Sequence, residues 1–400
     1  MKLAKRLSRV QESATLKMAK ATREAKAKER SIINFTVGEP NFPIPDAIQR
    51  AAVQAIHEGF SQYTPVVGIP QLRQRLSIKL REENNLSYTP EEIIVSCGAK
   101  QAFYNLCVAL VEEGDEVIIP APYWTSYPEI VKLSGGNPVI VPTLEKNEFK
   151  MSPDDLRSHL TPQTKMLVMN SPSNPTGSVY SETELKGLAR MLEGSNVLVA
   201  SDEIYEKLIF GETSFASFGA VSQDAFLRTV TINGFSKTYA MTGWRLGYAA
   251  GPRQIIDAMQ LVQGQSTSGA NSVTQKAALA ALELTPRELQ PLVDQLEQSR
   301  DQMVSLFSET DLISFMIPKG AFYLFLNISK LIGKADSQGH RIQSSEDLAL
   351  FLLREAGVGT VAGSGFGTDA HLRLSFAASA SDIDEGCHRM IAAFERLSHN

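Results

Sequence analysis

Cysteine is scarce in this 400-residue chain. Cys97, Cys107 and Cys387 are scattered, odd in number and contain no CxxC pair. That excludes a disulfide framework and fits a reducing compartment. The six histidines are equally thin, with no HExxH or other metal spacing, so no metal site is expected. No apolar run approaches the roughly 20 residues of a membrane span. The net charge is only −5, so no basic excess points to nucleic acid. Internal repeats and low-complexity segments are also missing.

What remains is the composition of a soluble globular protein, 43% hydrophobic and 21% charged. The length exceeds one ordinary core, so two domains are expected. The first thirty residues hold ten Lys/Arg against three Glu. Their Ser and Ala content has something of a transit peptide. Interrupting glutamates and the lack of an apolar signal core favour a solvated helix, with a seam at Leu16, Met18, Ala19, Ala21 and Ala25. The expected address is the cytoplasm. Ser13-Ala14-Thr15 is placed to cap that helix.

Beyond the arm, strand and helix patterns alternate. Strands are expected at Ser31–Thr36, Ile93–Ser96, Glu116–Pro120, Pro138–Pro142, Met166–Asn170, Val197–Ser201 and Thr229–Ile232. Helices are expected from Pro45 to Gly59, from Gln71 to Glu83 and after Gly98. Short Val/Ile-rich runs spaced this way predict an α/β fold with a mostly parallel sheet, helices on both faces. Ligands of such sheets bind beyond the strands' carboxyl ends. The pattern changes near Pro286. A long polar helix to about Thr310 is followed by antiparallel-looking strands at Ser314–Pro318, Ala321–Asn327 and His371–Phe376. Helices are expected at Ser345–Ala356 and from Asp382. The division this suggests is a large domain over 41–286, and a smaller α+β domain from 1–40 and 287–400.

The chemistry centres on one stretch, Asn233-Gly234-Phe235-Ser236-Lys237-Thr238-Tyr239-Ala240-Met241-Thr242-Gly243-Trp244-Arg245. Lys237 follows an apolar run and sits among small residues. A lysine in a closed pocket loses solvation, is more easily neutralised and can form a Schiff base with an aldehyde. Arg245 is a fixed charged fork suited to phosphate. Together they suggest a cofactor with both groups, pyridoxal 5'-phosphate.

Other candidates also follow strands. Asp202, at the end of Val197–Ser201, is placed to hold a proton on a pyridine nitrogen; a helix cap is the alternative. Tyr205, three residues on, is expected on the same face, facing the cofactor's phenolic oxygen. Asn174 lies in the rigid turn Asn170–Gly177, where an X-Pro bond can be cis, and its amide suits the same oxygen; a generic turn is the alternative. Trp124 can stack on a ring or fill the core. Gly98-Ala99-Lys100 opens a helix and offers backbone N–H groups to an anion. Arg373 alternates with Leu372 and Leu374 on a strand, and can clamp a carboxylate or face solvent.

These motifs, in this order, resemble fold-type I pyridoxal-phosphate enzymes over nearly the whole chain. The lysine stretch resembles the class I and II aminotransferase signature. The chain is most similar to the bacterial aspartate aminotransferase branch, whose members often share activity with prephenate aminotransferases. The resemblance implies a large domain with a seven-stranded sheet and a smaller α+β domain. It implies Schiff-base formation at Lys237, Asp202 at the pyridine nitrogen, and Asn174 and Tyr205 at the phenolic oxygen. Trp124 would stack on the ring, and Gly98, Ala99 and Arg245 would hold the phosphate. Arg373 would take the substrate α-carboxylate, with Gly38 in the Gly-Glu-Pro loop close by. Tyr63 resembles a tyrosine that reaches the neighbouring subunit's phosphate, implying a homodimer with shared sites. Many relatives carry a Ser three residues before the lysine, where this chain has Gly234; Ser236 is the candidate replacement. Lys100, with Ser13 and Thr15 donated from the partner's arm, would select a dicarboxylic substrate.

The expected activity is aspartate aminotransferase, passing the amino group of L-aspartate to 2-oxoglutarate. Prephenate or aromatic aminotransferase is the alternative in the same family, and a β-lyase a further one. A ligand-sensing role in a transcription regulator is disfavoured, because no helix-turn-helix pattern precedes Gly38.

Overall fold

The computed structural model describes residues 3–27 and 31–397. Helix α1 (Ala14–Ala27) and strand β1 (Ile33–Asn34) form the arm. Next come α2 (Asp46–His57), α3 (Pro70–Asn84), β2 (Ile93–Ser96) and α4 (Ala99–Leu110). They lead into β3 (Glu116–Ala121), α5 (Ser126–Ser134), β4 (Asn137–Pro142) and α6 (Pro153–His159). Then follow β5 (Thr164–Asn170), α7 (Glu182–Leu192), β6 (Leu198–Asp202), α8 (Gln223–Arg228), β7 (Thr229–Gly234) and β8 (Gly247–Ala250). Helices α9 (Arg253–Gly264) and α10 (Ser272–Ala281) close this half, and α11 (Pro286–Phe307) opens the next. The rest holds β9 (Ser314–Phe315), β10 (Tyr323–Asn327), α12 (Ser345–Phe351) and β11 (Val358–Gly359). It ends with β12 (Val361–Ala362), β13 (His371–Ser375) and α13 (Ala380–Glu395).

Seven strands form the large sheet in the order β2-β8-β7-β6-β5-β3-β4. All pair in parallel except β8, which is antiparallel to both β2 and β7. The interior strand β7 is buried at all six positions, as both-face coverage requires. A second sheet, β12-β13-β10-β9, is antiparallel, and β1 pairs with β11. The change near Pro286 is the start of α11. Thr285 and Glu288 form a capping box there, and Pro286 takes the first turn, where no N–H is needed.

Several expectations need correction. Strand β8 was not foreseen among the six strands read from the large half. The strand expected at Ser314–Pro318 pairs only through Ser314 and Phe315. The helix expected to Ala356 is α-helical to Phe351 and finishes as a π-type turn over Leu352–Ala356. On α1, Met18 and Thr22 are the buried positions, with Ala21 and Ala25 beside them, while Leu16 is exposed.

Candidate active site

The carboxyl ends of β2, β3, β5, β6 and β7 open onto one cleft of about 400 Å³. Twelve of the residues named from the sequence line it: Thr15, Gly38, Ala99, Lys100, Trp124, Asn174, Asp202, Tyr205, Ser236, Lys237, Arg245 and Arg373. Strand β8 explains why Arg245 precedes a strand rather than following one. Running antiparallel, β8 brings its amino end to the edge where its neighbours end.

Lys237 follows β7, and its Nζ donates to the Gly38 carbonyl at 2.5 Å. No carboxylate pairs with it among the described residues. Burial, followed by the nearby Arg373 charge, lowers its pKa to about 8. The amine is therefore far easier to neutralise than a solvated lysine.

Asp202 ends β6 with its carboxylate buried. Tyr127 donates to its Oδ2 at 2.6 Å, and the Ile204 N–H reaches Oδ1 at 3.2 Å. Burial raises this carboxyl to about 6 despite those bonds. A cation opposite it would bring the value back down. No helix follows, so the cap alternative falls. Tyr205 reaches the cleft from a turn rather than from a helical face.

Arg373 is only 1% exposed, yet meets no acid among the described residues. Its Nη1 donates to Asn174 Oδ1 at 3.1 Å and its Nη2 to the Thr36 carbonyl at 2.8 Å. Its Nε is buried without a partner. The rings of Tyr323 and Phe366 flank it at 4.4 and 5.1 Å. An uncompensated buried cation is costly, and an incoming carboxylate removes that cost. The solvent-facing alternative is excluded. The same bond orients Asn174, leaving its Nδ2 as the amide's remaining donor. Both Ser171–Pro172 and Asn174–Pro175 in its turn are cis.

An anion corner lies at the start of α4. Gly98 occupies the cap position at φ 87°, which a side chain would strain, and a Cβ there would lie 2.5 Å from Arg245 Nη2. Gly98 therefore shapes the corner without lining the cleft. Arg245 is anchored through Nη1 to the Thr242 carbonyl at 2.8 Å and pairs with no acid among the described residues. At Gly234, a Cβ would lie 2.9 Å from Gly247 Cα, so close packing of β7 on β8 excludes a serine there. Ser236 and Thr242 are the hydroxyl residues of this stretch that line the cleft.

Lys100 stands at the mouth with Nζ 4.9 Å from the Trp124 ring centre. Burial and the Arg245 charge lower its pKa. Thr15 of the chain's own arm lines the cleft, and its hydroxyl is buried without a hydrogen bond among the described residues. Ser13 does not line the cleft; its hydroxyl meets Thr125 Oγ1 at 3.1 Å. Tyr63 is fully exposed and does not line its own chain's cleft.

Sequence reasoning missed Tyr127 and Tyr323. Tyr127 follows Trp124 by three residues at the start of α5, a spacing that placed both on one side. Tyr323 sits in an apolar strand and reads as core.

The assembled groups suit a ligand with a reactive carbonyl, an anionic end and a ring that bears a protonated nitrogen. Arg373, Lys100 and the orphaned Thr15 hydroxyl leave donors for a second, acidic molecule.

Comparison with known proteins agrees. Residues 30–390 match the family model described as aminotransferase class I and II. The chain belongs to that family. This aminotransferase is 44% identical to a probable aspartate/prephenate aminotransferase of Rhizobium leguminosarum bv. phaseoli, over 97% of each chain. It is 41% identical to the aspartate/prephenate aminotransferase of Nitrosomonas europaea, over 98% of this chain and 99% of that one. Among solved structures, aspartate aminotransferase from Rhizobium meliloti superposes with a TM-score of 0.96 at 37% identity, covering both chains fully. The Thermus thermophilus enzyme with maleate gives 0.91 at 38% identity, covering 98% of this aminotransferase and 100% of that chain. The fold is therefore that of fold-type I aminotransferases.

Proposed function

We propose that this aminotransferase binds pyridoxal 5'-phosphate and transfers the amino group of L-aspartate to 2-oxoglutarate, giving oxaloacetate and L-glutamate. The observation that carries the reading is the pairing of Lys237, a half-buried amine, with Arg373, a buried guanidinium, neither of which pairs with an acid among the described residues. One suits an aldehyde and the other a carboxylate.

Lys237 would bind the aldehyde, and Ser236, Arg245 and the Gly98-Ala99 backbone the phosphate. Asp202 would face the ring nitrogen, Trp124 the ring, and Asn174 and Tyr205 the phenolic oxygen. When bound, this cofactor supplies an electron sink for the pair left at the substrate Cα. Arg373 holds the α-carboxylate through the N–H groups that Asn174 and Thr36 leave free. Lys237 Nζ, released when the substrate amine takes its place at the aldehyde and then neutral, would take the proton from the substrate Cα and hold it for the return transfer. Asp202, with Tyr127 fixing Oδ2, keeps the ring nitrogen protonated. Lys100 and Thr15 offer a cation and a hydroxyl to the distal carboxylate, which a neutral substrate would leave unpaired.

The Thermus thermophilus relative was solved with maleate, a dicarboxylate, which supports an acidic substrate here. The names of the Rhizobium and Nitrosomonas relatives favour prephenate as a second acceptor chemistry. The reading includes a cytoplasmic homodimer in which Tyr63 reaches the partner's phosphate, and the domain division at 40/41 and 286/287. No helix among the described residues is long and apolar enough to cross a membrane.

The test is the visible spectrum of the purified protein. L-aspartate alone should remove the cofactor's band, and 2-oxoglutarate should restore it. Loss with L-tyrosine but not aspartate would keep the transaminase and overturn the acidic-substrate reading. A colourless protein that pyridoxal phosphate cannot reconstitute would remove the proposal.

A further inference from the structure

This inference rests on the cofactor reading above and extends it to a side chain that reading leaves idle. Tyr323 is on β10 of the small sheet and is 1% exposed. Its hydroxyl lies 2.9 Å from that of Tyr205, on the turn after β6 of the large sheet. Its ring centre lies 4.4 Å from the Arg373 guanidinium carbon. Glycine at position 38 keeps the space open, since a Cβ there would sit 3.0 Å from the Tyr323 hydroxyl. One residue therefore touches both the donor facing a phenolic oxygen and the clamp for a carboxylate.

We infer that Tyr323 is a positioning residue that turns the Tyr205 hydroxyl proton into the cleft and seats the Arg373 guanidinium for a substrate carboxylate.

Each hydroxyl carries one proton. If Tyr205 spends its proton on Tyr323, it has none for the cleft. Donation into the cleft therefore requires Tyr205 to accept from Tyr323. A hydroxyl that accepts a hydrogen bond is polarised into a better donor. The groups around Tyr205 that bear on its hydroxyl are Tyr323, Arg373 and Asp202, with Lys237 Nζ 5.6 Å from its ring centre. Below Arg373, the faces of Tyr323 and Phe366 take the place of an acid. They stabilise the cation and leave its donors free for a ligand.

The test compares holoenzymes of the wild type, Tyr323→Phe and Tyr323→Leu, each loaded with pyridoxal phosphate. Two quantities are read: the pH midpoint of the cofactor's visible band and the Kd for maleate. Tyr205 donation draws electron density from the phenolic oxygen and loosens the proton it shares, so weaker donation raises the midpoint. Tyr323→Phe removes the hydroxyl and keeps the ring. Its midpoint should rise by roughly 0.3 pH unit, the effect of losing a tenth to a third of one charge-assisted bond, with maleate Kd within about twofold. Tyr323→Leu should show the same midpoint shift and a roughly tenfold weaker maleate Kd, from loss of the ring face. An unchanged midpoint in Tyr323→Phe, or a maleate loss equal to that of Tyr323→Leu, overturns the inference while the cofactor reading stands. A wild type that takes up no cofactor overturns both.

Discussion

Lys237 and Arg373 illustrate how a site is built against stability. Each is a cation taken from water without a carboxylate in return. For Lys237 the sign follows from its pKa of about 8, below the usual 10.5. The unfolded chain binds its proton more tightly, so folding carries the full penalty below pH 8. The penalty fades as pH rises from 8 toward 10.5. In the cofactor-free protein, Lys237→Met should therefore be more stable than wild type at pH 7, by about 1–2 kcal/mol once cleft solvent is allowed for. The two should converge near pH 10. Urea unfolding at both pH values decides it; a variant less stable at pH 7 would show that the Gly38 hydrogen bond outweighs burial.

Lys100 has a different fate, because it stands at the mouth rather than on the floor. Replacing it with Met should raise the KM for aspartate roughly tenfold, the scale of one lost charged hydrogen bond. An aromatic substrate should change by less than about twofold. Equal effects on the two substrates in steady-state assays would take Lys100 out of substrate choice.

At the scale of elements, the sheet makes the cleft legible and the helices make it rigid. Strands β2, β3, β5, β6 and β7 could be read from sequence because each is a short run dominated by Val, Ile, Leu, Met or Thr, bounded by turn residues. Strand β8, Gly247-Tyr248-Ala249-Ala250, has no β-branched residue and gave no such signal. Its place comes from pairing with β2 and β7, which tertiary structure dictates and local propensity does not. The site residues after strands were accessible for the same reason as the strands. Tyr323 was not, since only the register of β10 against β13 brings it beside Arg373. The arm was read in part: its helix was expected, but which face it buries depends on the small sheet beneath it. The Gly247 contact gives an element-scale prediction. A Cβ there would lie 2.4 Å from the Ala99 nitrogen, so the start of α4 must shift. Gly247→Ala should cost about 1–3 kcal/mol in thermal or urea unfolding. It should also weaken inorganic phosphate binding to the cofactor-free protein, while a phosphate affinity like that of wild type would show that α4 does not carry the anion corner.

At the scale of the whole molecule, the single chain leaves Tyr63 unused, as it does Ser13. Tyr63 is fully exposed, on the loop between α2 and α3, and contributes nothing to its own cleft. A large aromatic in that setting is explained if it is buried against a second copy. If Tyr63 serves the partner's phosphate, each cleft needs Lys237 from one protomer and Tyr63 from the other. Lys237→Ala homodimers should be inactive, and Tyr63→Ala homodimers should bind cofactor roughly tenfold more weakly through loss of one charged hydrogen bond. A heterodimer with one protomer of each variant gathers both defects into a single cleft. The other cleft then has both wild-type residues. Isolated with two different affinity tags, this heterodimer should show about half the wild-type activity at low cofactor concentration. At that concentration the Tyr63→Ala homodimer should fall well below half. If each chain instead built its site alone, the heterodimer would show only the mean of the two homodimers. Activity at that mean would remove both the shared site and the role of Tyr63.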